Sequence, residues 1–179
     1  MKNVKSKKRE GFTLVELLIV IVVIGILSAM MMLSSTEAVS SARANNIIAN
    51  LRNLKTAALA FYVDSLDKIA DLGEGKVIPK DYIVKYLGSS NNDEINKISD
   101  KTANGKGYSG YSVYITDKKL WIAQYNATNE KSDVKNKLAA RAASVGLKDG
   151  NADKINSEKD LLVYTANKDK VCMFVLSTQ

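Results

Sequence analysis

The chain of 179 residues contains no histidine and one cysteine, Cys172. Without histidine there is no Ser-His or Cys-His nucleophile pair, and the usual zinc-ligand sets are missing. A single cysteine excludes an intrachain disulfide, and its place in the apolar run "KVCMFVL" reads as a small buried hydrophobe. Neither a glycine-rich phosphate loop nor a paired acid and base is present, and no enzymatic activity and no cofactor are expected. Acidic residues are scarce only at the start. There Lys2, Lys5, Lys7, Lys8 and Arg9 face Glu10 alone, which concentrates more than half of the net charge of +7 before Gly11. Beyond it both signs are interspersed, as on a solvated surface rather than a nucleic-acid stripe.

What the sequence does have is "GFTLVELLIVIVVIGILSAMMML", Gly11 to Leu33. As a helix, Phe12 to Leu33 would be roughly 33 Å long, enough to cross a bilayer's hydrocarbon core. The cationic block should stay cytoplasmic, which places everything from Ser34 onward outside. A secretory signal peptide cut after "TEA" at Ala38 is a rival reading. The length of the apolar run, Glu16 within it and the lack of a polar break before Ser34 count against it. Taken alone, Glu16 reads as a carboxylate that snorkels to the headgroups, one turn from the cationic flank.

The string "KREGFTLVELLIVIVVIGIL" resembles the amino terminus of a type IV prepilin or pseudopilin, and the resemblance runs from Lys7 to roughly Phe61. It implies an α+β fold with a long amino-terminal helix on an antiparallel sheet. It also implies that a membrane-embedded prepilin peptidase cuts between Gly11 and Phe12 and methylates the new amino group of Phe12. Glycine before the cut lets a protease approach the backbone closely. Glu16 is then implied to pair with the free amino terminus of a neighbouring subunit in a homo-oligomeric helical filament, setting register more than cohesion. Other implied partners are the inner-membrane assembly machinery, minor pilins and, before assembly, membrane lipid. Many pilins carry a proline about eight residues after the glycine that corresponds to Gly25, where this chain has Leu33. The helix is therefore expected to be straighter, with Gly25 and Ser28 its points of loosening.

Four segments follow: a leader 1–11, a transmembrane helix half 12–33, an amphipathic helix half 34–72 and an extracellular head 73–179. In the third, Ile47, Leu51, Leu54, Ala58 and Phe61 form a stripe, widened by Leu59, Tyr62, Leu66 and Ile69. Asn45, Asn50, Arg52 and Asn53 should face outward, and the helix should stop before Gly73 and Gly75. "PKDYIVKYL", Pro79 to Leu87, predicts a short helix with proline at its first position. Gly88 to Gly107 is a polar connection. "YSVYI" and "LWIAQY" predict a hairpin turning at Asp117 and Lys118, with Ile115 opposite Leu120, Val113 opposite Ile122 and Tyr114 opposite Trp121. That register makes one face aliphatic core and the other aromatic. Ser132 to Val145 reads as a helix ended by Gly146, with Val134, Leu138, Ala142 and Val145 on one side. "DLLVYTA" and "KVCMFVLS" read as a second hairpin of central strands around Asn167 to Asp169. About four antiparallel strands would then lie on the outer half of the long helix.

Two further motifs have duller readings. Asp149, Asn151, Asp153 and Asp160 stand at positions one, three, five and twelve of a calcium-loop pattern. Lys154 replaces the glycine of the sharp turn, so plain surface is the preferred reading. Tyr108, Tyr111, Tyr114, Trp121 and Tyr125 could stack single-stranded nucleic acid, but cross-strand pairs explain them better and nucleic acid is not expected. The expected function is a structural subunit of a surface filament, held in the cytoplasmic membrane before assembly. The alternatives are a pseudopilin of a secretion or DNA-uptake system and a membrane-anchored monomeric binding domain. The missing disulfide loop and the many lysines are read as signs of a Gram-positive host.

Overall fold

A computed structural model describes residues 11–65, 69, 77–87, 110–116, 119–150, 157 and 161–177. The chain divides into two units, residues 1–39 and 40–179. The first helix, α1 (Leu14–Asp64), supplies the described secondary structure of the first unit and continues into the second. In the first unit its apolar side chains from Leu14 to Met32 are all exposed, and this is the stretch apolar enough to cross a membrane. It remains helical through Gly25, Ser28 and Leu33, where no proline removes a backbone donor.

The second unit holds the core. Ile47, Leu51, Leu54, Ala58 and Phe61 are buried as the spacing predicts, and Ala44, Ile48 and Ala57 join them. Asn45, Arg52 and Asn53 face solvent, but Asn50 does not: it is buried, and its Nδ2 donates to the Tyr111 hydroxyl at 3.1 Å. The helix ends at Asp64, short of the expected 72. Ser65 lies outside it, and its carbonyl accepts from the Ile69 amide at 3.2 Å. Asp and Ser side chains compete with helical backbone bonding, which suits them to a break. Leu66 and 70–76 lie outside the described residues, as does the polar connection 88–109. Pro79, with ψ at 137°, caps α2 (Lys80–Val84) rather than occupying its first turn. Phe61 stacks on Tyr82 with ring centres 5.4 Å apart and meets Tyr86 and Trp121 at 6.2 and 6.1 Å.

The sheet comprises β1 (Tyr111–Ile115), β2 (Leu120–Asn126), β3 (Lys148–Asp149) and β4 (Lys170–Ser177), all antiparallel, in the order β1-β2-β4-β3. The β1–β2 register is one residue away from the expected one: Ile115 pairs with Trp121, Tyr114 with Ile122 and Val113 with Ala123. The cause is the turn. Lys119 adopts a left-handed φ of 56°, so the loop has three residues instead of two, closed by the Thr116 amide on the Leu120 carbonyl at 2.9 Å. One residue of slip exchanges faces. Trp121 and Tyr125 thus lie with Tyr111, Val113 and Ile115 in the helix-side core, while Leu120 and Ile122 join Leu161 and Cys172 in a smaller cluster bordered by Tyr114 and Phe174. Opposite the Trp121/Ile122 step the pairing skips Val175, so Val175 and Leu176 both reach the helix-side core.

The second helix of the head, α3 (Ser132–Val145), has the predicted bounds and buries Val134, Leu138 and Ala142. Gly146, at φ 76°, closes it, and the Leu147 amide returns to the Ala142 carbonyl at 2.9 Å, the Schellman geometry that only glycine adopts cheaply. This exit delivers Lys148 and Asp149 to the edge of β4. The expected strand around 160–166 therefore loses that position. Val163 makes an isolated bridge to Lys148, and Tyr164 and Asp149 exchange backbone bonds with Leu147 and Leu162 at 3.2 and 2.8 Å. β4 is central as expected; its outer neighbour is β3.

Candidate functional site

The amino-terminal end of α1 is built from four residues. Thr13 precedes the first helical residue, Leu14, and Glu16 is the third residue of the helix, so the two stand three apart. The first amides of any helix lack internal acceptors, and a threonine and a glutamate at this spacing supply them reciprocally. Both halves of that exchange are present. The Glu16 amide donates to Thr13 Oγ1 at 3.3 Å, and Glu16 Oε2 accepts from the Thr13 amide at 2.8 Å and from the Thr13 hydroxyl at 2.7 Å.

This geometry changes the meaning of the carboxylate in the apolar run. Rather than snorkelling away, it folds back over the positive end of the helix dipole and takes the peptide N–H that joins Phe12 to Thr13. The Phe12 side chain is exposed, and the space where a Gly11 side chain would stand is open to 4 Å, so the backbone between them can be approached. Gly11, Phe12 and Glu16 thus stand within six residues of one another, with the Glu16 carboxylate on the Thr13 amide. The residue that sequence reasoning missed is Thr13. Its signal was present, since a threonine three residues before a glutamate at the head of an apolar run is a capping box.

A second polar cluster joins α1 to the head. Arg43 Nη2 and Nε donate to Glu130 Oε1 at 2.7 and 3.1 Å, and Nη2 also reaches the Tyr125 oxygen at 3.2 Å. The Tyr125 hydroxyl donates to the same carboxylate oxygen at 2.5 Å, and the Tyr125 ring lies 4.6 Å from that of Tyr111, which Asn50 caps. Burial alone would raise the Glu130 pKa. The bonds from Arg43 and Tyr125 and the charges of Arg43 and Lys135 outweigh it and hold the group below its ordinary 4.5. Burial, then the bond to Glu130, raises Tyr125. Arg141 of α3 bonds to the Asn45 side chain, tying a second point of the head to the helix. No sequence signal announced the bonds of Arg43 to Tyr125 and Glu130 or of Arg141 to Asn45, whose partners lie 82 to 96 residues apart.

The remaining candidates separate. Asp149 is held by Lys168 at 3.1 Å, while Asn151, Asp153 and Asp160 lie outside the described residues. Among the described residues no three metal-ligating side chains converge. Among the described residues the aromatic side chains form no surface platform, in line with the preferred reading of cross-strand pairs. Tyr111, Trp121 and Tyr125 are core residues, Tyr114 lies on the opposite face, and Tyr108 is outside the described residues.

Comparison with known proteins agrees with the amino-terminal geometry. A family model described as the prokaryotic N-terminal methylation motif matches residues 6–32. The chain is 31% identical over 91 residues to "Fimbrial protein EcpB" of Eikenella corrodens, a match covering 51% of this chain and 57% of the relative's length. No solved structure matches. The motif, the fimbrial relative and the long helix packed on a four-stranded antiparallel sheet all point the same way.

Proposed function

We propose that this chain, which carries the amino-terminal methylation motif and the fold of the type IV pilin family, is a structural subunit of a type IV pilus. In this reading it is made as a single-pass precursor in the cytoplasmic membrane and cut by a prepilin peptidase between Gly11 and Phe12. It is methylated on the Phe12 amine and packed helix against helix into a surface fibre by the inner-membrane assembly machinery, with minor pilins as further partners. The fibre serves adhesion, twitching motility or biofilm formation. The observation that carries the reading is the position of Glu16. Its carboxylate is held by Thr13 beside the bond to be cut, at the head of an exposed apolar helical stretch.

The capping box also explains how the precursor tolerates an acid near lipid. Its own first turn partners the carboxylate until an arriving subunit offers a cationic Phe12 amine, which an ordinary α-amino pKa keeps largely protonated at neutral pH. Docking then exchanges internal hydrogen bonds for an intermolecular ion pair, and the packed apolar helices supply the cohesion. Two measurements test this. Mass spectrometry of the mature amino terminus should find methylated Phe12; an intact Met1, or a start near Val39, would overturn it. Glu16→Gln in cells making fibres only from this protein should abolish ordered fibres while leaving the processed subunit in the membrane. Undiminished fibres would remove Glu16 from assembly. Methylated Phe12 with no long labelled fibres under the electron microscope would reassign the chain to secretion or DNA uptake.

A further inference from the structure

Met30, Met31 and Met32 are consecutive on α1 and are 66, 73 and 76% exposed, whereas Met173 in β4 is 4% exposed. At about 100° per residue the three side chains fan around roughly 200° of the helix. They therefore form a band that no rotation of the helix can hide on one face. The band lies at the far end of the apolar run, with Ser34 and Ser35 beyond it. If the helix spans the bilayer as argued under Proposed function, on which this inference rests, the band sits where the chain meets outside water.

We propose that these three methionines are an oxidation-sensitive collar that sets where the helix leaves the membrane. The thioether sulfur attacks the outer oxygen of a peroxide: the O–O bond breaks, an S–O bond forms, the sulfur gives up two electrons, and with hydrogen peroxide water departs. A flexible apolar side chain becomes a polar one. The intact run from Phe12 to Leu33 reaches roughly 33 Å, but ended at Ala29 it reaches about 27 Å, just short of a hydrocarbon core of about 30 Å. Oxidation thus converts a comfortable span into a slightly short one, and the outer boundary moves inward by about one turn. Cys172 does not compete for the oxidant. It is buried, and burial followed by the nearby Asp149 charge raises its thiol pKa.

The test uses the full chain reconstituted in phospholipid vesicles and exposed to hydrogen peroxide. Peptide mass spectrometry should find oxygen added to Met30, Met31 and Met32 at least about tenfold faster than to Met173. Backbone hydrogen exchange over residues 26–33 should then accelerate several-fold, return to its starting rate after methionine sulfoxide reductase treatment, and stay constant in the Met30→Leu/Met31→Leu/Met32→Leu variant. Oxidation of Met173 at an equal rate, or collar oxidation that leaves exchange unchanged, would overturn the proposal and leave the membrane span intact. A chain that does not enter the vesicles before oxidation would remove both.

Discussion

At the scale of single residues, the Glu130 carboxylate is the most telling polar group in the head. One of its oxygens receives two bonds from Arg43 and one from Tyr125. Its folded pKa lies below the ordinary 4.5, so the cluster contributes stability that is complete above that value and declines as acid protonates the folded carboxylate. Glu130→Gln should lower stability at neutral pH by about 1–3 kcal/mol, the cost of weakening charged, buried hydrogen bonds. It should also flatten the acid limb of a melting-temperature profile. A variant whose midpoint tracks the parent's between pH 6 and about pH 3 would show that the cluster is not the source of acid sensitivity. The individual residues were unevenly legible. Gly11, Phe12 and Glu16 announce themselves by order and spacing, whereas Arg43, Tyr125 and Glu130 are ordinary surface-type residues until folding brings them together.

Among the elements, the sequence showed existence better than register. α3 has its predicted bounds because a valine, a leucine and an alanine at intervals of four, followed by glycine, leave no competing pattern. The first hairpin was legible as two strands, yet its pairing depended on whether Lys119 would accept a left-handed backbone, which residue identity does not forbid. The strand expected around 160–166 failed for a different reason. Its apolar run Leu161–Tyr164 suited a central strand, but a two-residue strand after Gly146 holds the β4 edge instead. The loop carries its own test. Lys119→Gly should leave stability equal or higher, because glycine accepts that φ freely, while Lys119→Val should cost about 1–2 kcal/mol in chemical denaturation. Equal stability for the two variants would mean that the loop does not hold the register.

On the scale of the whole molecule, the two units ask for different solvents. Residues 40–179 contain a core of their own, whereas the described apolar side chains of residues 12–32 are all exposed. A fragment spanning 40–179 should therefore be a water-soluble monomer with a single cooperative melt, while the full chain should require detergent or lipid. Calorimetry and size-exclusion chromatography check both, and a fragment without a melting transition would show that the head depends on the first unit. Within the head, the apolar stripe from Ile47 to Phe61 repeats almost every turn, so grease alone would hold the helix nearly as well after sliding by one turn. The buried bond between Asn50 and Tyr111 does not repeat. Under a pull along the helix axis, one step of slip would break this bond between two buried groups. The joint should therefore bear shear rigidly and then fail abruptly, without creeping.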